Sequence, residues 1–175
     1  GVIDLPHDEY VLVVDEKNSV VIFTGENQPQ EPGTVFEIAN SVLDTVKKMG
    51  NIKMVITTGG YLPSENGKGT RVFGVSTNSK ILDILKSHDV HPLASEVNTI
   101  TWFNGVILGL AKNQKIDGIG LFGEILDPES PQYKTASKII GIIGKILGIE
   151  IDVSELDKKI VEKPIEKKKE GPGIG

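Results

Sequence analysis

Two hydrophobic periods alternate along the chain. Tyr10 to Val14 and Val20 to Thr24 are β-branched runs separated by Asp15-Glu16-Lys17-Asn18-Ser19, the pattern of two strands and a tight connection. A polar loop with two prolines, Gly25 to Gly33, follows. Val35, Ile38, Ala39, Val42, Leu43 and Val46 then recur at three- and four-residue steps, which predicts a helix. Lys47, Lys48 and Gly50 supply the basic last turn and glycine stop of its C-terminus.

Met54 to Thr58 is a short apolar strand, expected to end in a turn at Thr57-Thr58-Gly59-Gly60. A polar loop with Gly67 and Gly69 leads to a second strand, Arg71 to Val75. Asn78 is placed to cap a helix with apolar positions Ile81, Leu82 and Leu85. Ser95 to Thr101 reads as extended. Asn104-Gly105 is expected to precede a buried helix over Val106 to Ala111. Gly118 to Phe122 is a further strand, stopping at Gly123-Glu124.

After the turn Asp127 to Pro131, Ala136, Ile139, Ile140, Ile143, Ile146 and Leu147 keep helical spacing. Gly141, Gly144 and Gly148 among them are expected to permit close packing. A short amphipathic helix starts at Asp152 to Leu156. There is no internal repeat. Strands alternate with helices and most strands are wholly apolar. This predicts an α/β chain with a mostly parallel sheet covered on both faces, a three-layer α/β/α sandwich. Residues 1–160 read as one domain and 161–175 as a charged, flexible tail.

Composition narrows the function. A chain of 175 residues suits one domain, and a domain of roughly 150 residues buries about 70% of its unfolded surface. With no cysteine, thiol catalysis, thiolate metal sites and thiol redox switching are excluded. A net charge of −5 argues against nucleic acid as partner, and Lys167 to Lys169, flanked by Glu166 and Glu170, reads as a solvated run. No apolar run approaches the ~18–20 residues that cross a bilayer. Gly1 to Tyr10 lacks the basic and apolar regions of a signal peptide, so a cytoplasmic location is expected.

The candidate chemistry lies at strand and helix ends. Thr57, Thr58, Gly59 and Gly60 fall where open α/β sheets place ligands, and their amides and hydroxyls could cradle an anion. The alternative is that the glycines serve turn geometry. No P-loop and no GxGxxG is present. Asn104-Gly105 could present a helix N-terminus to an anion, or Asn104 could simply be a cap. Glu124 could act as a base or bind a sugar hydroxyl. Its neighbours Asp127 and Glu129 lie in a proline-bounded turn and offer no acid–base partner. His88 and His91 make HxxH spacing, but Pro92 ends any helix there, so a junction is expected rather than a metal site; no metal or cofactor is expected. No GxSxG marks a serine nucleophile. Trp102-Phe103 and Tyr61-Leu62-Pro63 concentrate aromatic side chains where an interface could use them, although Trp102 could equally be core.

Several segments together resemble the proteasome assembly chaperone family. They are Thr24-Gly25-Glu26-Asn27-Gln28-Pro29; Ile56 to Pro63; Arg71-Val72-Phe73-Gly74; Phe103 to Ala111; Leu121-Phe122-Gly123-Glu124; and Ala136 to Leu147 with Gly148 to Asp152. The likeness is to archaeal relatives of the second member of the eukaryotic heterodimeric chaperone, over roughly Val11 to Leu156. It implies a fold similar to the purine nucleoside phosphorylases, a homo-oligomer, and binding of proteasome α-subunits without catalysis. It also implies a further strand and helix upstream of Val2, so trimming is expected there. Some archaeal members dock through a C-terminal hydrophobic-Tyr-any tripeptide, and the Gly173-Ile174-Gly175 end lacks that tyrosine.

Three readings follow. The first is a non-enzymatic assembly chaperone. The second is a nucleoside phosphorylase-like enzyme or binder using Thr57 to Gly60 and Glu124. The third is a homo-oligomeric scaffold with another protein client.

Overall fold

The computed structural model describes residues 9–63, 67–93 and 99–160. Its elements, in chain order, are β1 (Tyr10–Asp15), β2 (Val20–Gly25), α1 (Pro32–Met49), β3 (Met54–Tyr61), β4 (Val72–Ser76), α2 (Ser79–Ser87), β5 (His91–Pro92), α3 (Trp102–Asn113), β6 (Asp117–Glu124), α4 (Tyr133–Leu147) and α5 (Ser154–Asp157). The expected extended segment at Ser95 falls mostly outside the described residues, as does the charged tail.

Four strands form the main sheet in the order β3-β6-β4-β5. β3 runs parallel to β6 and β4 parallel to β5, while β4 and β6 are antiparallel. The sheet is therefore mostly parallel, as its apolar strands predict. β6 is central, and every residue from Gly118 to Glu124 is buried. β1 and β2 stand apart as an antiparallel hairpin in register Tyr10 with Gly25 through Asp15 with Val20.

The period of two in β6 separates the two faces. Ile119 and Leu121 turn toward α2 and α4, where Ile81, Leu85, Ile139 and Ile142 complete a buried cluster with Val72. Gly118 and Gly120 turn the other way and admit the Leu108 side chain of α3. On that face Ala39 and Leu43 of α1 pack with Ile107 of α3 and with Val55. The result is three layers. Fully burying a side chain such as Leu43, Leu85 or Leu121 contributes roughly 1.5–3 kcal/mol.

The helix ends follow local chemistry. Asn78 caps α2 by accepting the Ile81 N–H at 3.1 Å. α1 begins at Pro32, a turn ahead of the expected apolar stripe, because the Glu31 carboxylate accepts the Thr34 N–H at 2.6 Å. Of the three glycines in and after α4, Gly144 lies close to the Ile149 carbonyl and Gly148 is the left-handed cap at φ 68°. Gly141 faces open space, so close packing does not account for it.

Candidate functional site

The carboxyl ends of β3 and β6 lie side by side, with the N-terminus of α3 above them. This arrangement sets Thr57 to Tyr61 beside Glu124 and ties them to Asn104 of α3, and it corrects three expectations.

Thr57 to Gly60 are not a turn. β3 continues to Tyr61, and Thr57, Thr58, Gly59, Gly60 and Tyr61 pair in register with Gly120, Leu121, Phe122, Gly123 and Glu124. The amides on the β6 side are taken up by the ladder, so no anion cradle forms. The glycines do not serve turn geometry either, since neither has a positive φ. They make room instead. A Cβ on Gly60 would lie 1.9 Å from Ile125 Cδ1, and one on Gly59 would lie 3.0 Å from Asn104 Nδ2. Thr57 is 7% exposed, and its Oγ1 has no hydrogen-bond partner.

Asn104-Gly105 do not precede a helix but lie within its first turn, because α3 starts at Trp102. Asn104 is therefore no cap. Its Nδ2 donates to the Thr58 carbonyl at 3.1 Å, tying α3 to β3. Gly105 admits the backbone of the preceding loop: a Cβ there would lie 1.9 Å from the Ile100 carbonyl oxygen. Thr101 occupies the cap position without a side-chain bond.

Glu124 is fully buried and committed. Arg71 donates Nη2 to Oε1 at 2.5 Å and Nε to Oε1 at 3.1 Å, while the Thr70 and Arg71 backbone N–H groups reach Oε2 at 3.3 Å. The Arg71 hydrogen bond is the main cause holding the Glu124 carboxyl at about 2. Burial opposes it, and the backbone donors assist. So acidic a group is a poor general base near neutral pH. Arg71 is the residue that sequence reading missed as a functional partner. It is 53 positions from Glu124, and only the β4–β6 pairing brings the two together.

Two aromatic groups flank this centre. Tyr61 meets Phe73 edge-on at 4.9 Å, Phe73 meets His91 at 5.8 Å, and the Arg71 guanidinium lies 5.2 Å from the Phe73 ring. On the other side Phe103 stacks on Phe23 at 5.1 Å, and Phe23 on Tyr10 at 5.7 Å, so α3 holds the hairpin. Trp102 belongs to neither group. It is 45% exposed and has φ 59°, a conformation that bulky L-residues rarely adopt. Leu62 and Leu126, just past the ends of β3 and β6, are 60% and 57% exposed.

His88 ends α2 and His91 lies in β5, at the expected junction. Asp127 shapes its turn by accepting the Glu129 N–H at 3.0 Å. Among the described residues, no three His, Asp or Glu side chains converge as metal ligands, and no helix is long and apolar enough to cross a membrane. An open cleft of about 830 Å³ lies elsewhere, between Lys17 and Asn18 of the hairpin turn and the Gly148 to Asp157 segment. It includes none of the candidate residues.

The chain belongs to the PAC2 family, whose model matches residues 3–163. The resemblance read from the sequence is to this same group. An uncharacterized protein of Methanocaldococcus jannaschii is 26% identical over 163 residues, which is 91% of this chain and 60% of that protein. Pyrococcus furiosus PbaA, an archaeal homolog of proteasome-assembly chaperone, shares the fold with TM-score 0.74 at 23% identity, over 89% of this chain and 66% of PbaA. Pyrococcus furiosus PbaB, an archaeal proteasome activator, has TM-score 0.69 at 28% identity, over 88% of this chain and 74% of PbaB. The chain thus spans less than two thirds of the length of the first two.

Proposed function

We propose that this chain is a non-enzymatic assembly chaperone of the cytoplasm that binds proteasome α-subunits as a homo-oligomer. Its client-facing surface is the carboxyl end of β3 and β6. The observation that carries this reading is how polar and apolar groups divide at that end. Glu124 is closed by Arg71, and Asn104 is spent on Thr58. Trp102, Leu62 and Leu126 remain exposed. An end that satisfies its charges internally and displays Trp and Leu is suited to a protein surface. Membership of the PAC2 family, and the likeness to PbaA and PbaB, favour the proteasome as the source of that partner.

The nucleoside phosphorylase-like reading has less support. It needs a free carboxylate at Glu124, which Arg71 engages, and amides of Thr57 to Gly60 converging on one anion, whereas successive amides of an extended strand point to opposite edges.

The test is native electrophoresis and sedimentation of cognate α-subunits with and without the protein. A complex, or faster α-ring formation, is expected, and Trp102→Ala combined with Leu126→Ser should weaken it. If wild-type protein neither associates with α-subunits nor changes their assembly, the reading is wrong.

A further inference from the structure

We propose that β3 is a pairing edge to which a second copy of this chain adds its own β3, antiparallel, making one continuous sheet across two molecules. This gives a surface to the self-association in the proposed function and rests on that part of it alone.

β3 is the outer strand of the main sheet and is eight residues long. The Tyr61 carbonyl accepts the Ile125 N–H at 2.8 Å, so the Tyr61 backbone turns toward β6. By the two-residue alternation of a strand, Val55, Thr57 and Gly59 turn the same way. The backbone groups of Met54, Ile56, Thr58 and Gly60 therefore point outward. The bond from Asn104 to the Thr58 carbonyl, made outside the ladder, agrees with this. Among the described residues, no strand pairs with this side. Thr58 and Gly60 are exposed.

Proteins usually blunt such an edge with lysine, proline, a bulge or a short strand. From Met54 to Tyr61 there is no charge and no proline, and the register with β6 is unbroken. The edge is long and regular, and the Thr58 carbonyl, which accepts Asn104 with one lone pair, keeps its second for the N–H of a pairing strand.

Its sequence fits its own copy. With a two-fold axis at Thr57, Met54 lies opposite Gly60 of the second copy, Val55 opposite Gly59, and Ile56 opposite Thr58. All four outward-pointing residues then meet outward-pointing residues, as the hydrogen-bonded pairs of an antiparallel ladder require. Large side chains face glycines at both ends, and β-branched residues face each other at the centre. No like charges oppose. Ile125, which covers Gly60, would extend the apolar contact to Met54 of the second copy.

The experiment is sedimentation velocity on wild type, Thr58→Pro and Thr58→Lys, with amide exchange read by NMR. Proline at 58 removes an outward N–H and leaves the β6 ladder intact. Should that variant lose its fold, Thr58→Lys keeps the backbone and carries the test. Wild type is expected to self-associate, with the Ile56, Thr58 and Gly60 amides protected. Symmetry removes each contact twice, so the variants should associate about tenfold more weakly or worse.

A monomeric wild type overturns the proposal. So does association that both variants leave unchanged, or rapid exchange at the three outward amides in the associated form. Protection appearing only when α-subunits are added would assign the edge to a client strand and likewise overturn it. α-Subunit capture by the same samples is scored separately, so its failure beside intact self-association rejects the chaperone reading and leaves the edge standing.

Discussion

Arg71 closes over Glu124 at 2.5 Å, joining the start of β4 to the end of β6 through a carboxylate that has no exposed surface. Between them the Arg71 side chain and two backbone amides serve both carboxylate oxygens. Glu124→Gln removes the charge and is expected to lower stability by about 1.5–3 kcal/mol at neutral pH, read from the midpoint of chemical denaturation.

The same pair sets a pH dependence. Glu124 titrates at about 2 in the folded chain against an ordinary 4.5. Because the folded value is the lower one, folding favours the ionised form. That contribution is complete above the ordinary carboxylate range and is lost as pH falls from about 5 to about 2. Parallel acid titrations of wild type and Glu124→Gln should converge toward the low end of this window. A constant gap across it would show that the charge is not what stabilises the wild type.

Two glycines of α3 are expected to respond in opposite directions. A Cβ at Gly105 collides with the Ile100 carbonyl, whereas one at Gly109 meets open space. Gly105→Ala should destabilise by about 1–3 kcal/mol through overpacking. Gly109→Ala should stabilise by up to ~1 kcal/mol through helix propensity. Thermal unfolding of the two variants beside wild type measures both.

Thr57→Val is expected to stabilise the fold. The Thr57 hydroxyl is buried without a hydrogen-bond partner, and valine preserves its shape. Removing that polar group should gain about 1 kcal/mol. Loss of stability in denaturant titration would mean that the hydroxyl has a partner after all.

Phe103→Ala should loosen the hairpin selectively. Two strands alone are marginally stable in water, and the Tyr10–Phe23–Phe103 stack ties these two to α3. Faster amide exchange over Tyr10 to Gly25, with β6 unchanged, is the expected result.

The sequence alone determined most of the element list. Local spacing is enough to mark Val35, Ala39 and Leu43 as one buried stripe, Asn78 as a cap and Gly118 to Phe122 as a strand. The order and spacing of those segments also sufficed to place the chain in its family. What sequence could not supply was the state of each strand end. Thr57 to Gly60 read as a turn because paired glycines usually mark one. Their continuation as strand depends on β6, some 60 positions away, taking up their backbone groups.

Tertiary structure also decided what the polar residues do. Glu124 looks available for chemistry in one dimension; the antiparallel pairing of β4 with β6 delivers Arg71 to it. Asn104 looks like a cap until α3 begins two residues earlier and its amide reaches Thr58. Periodicity reports which side of an element is apolar, because burial acts on neighbouring turns of the same segment. Which polar group meets which is settled by strand order and register, and these arise only when distant segments compete for the same core.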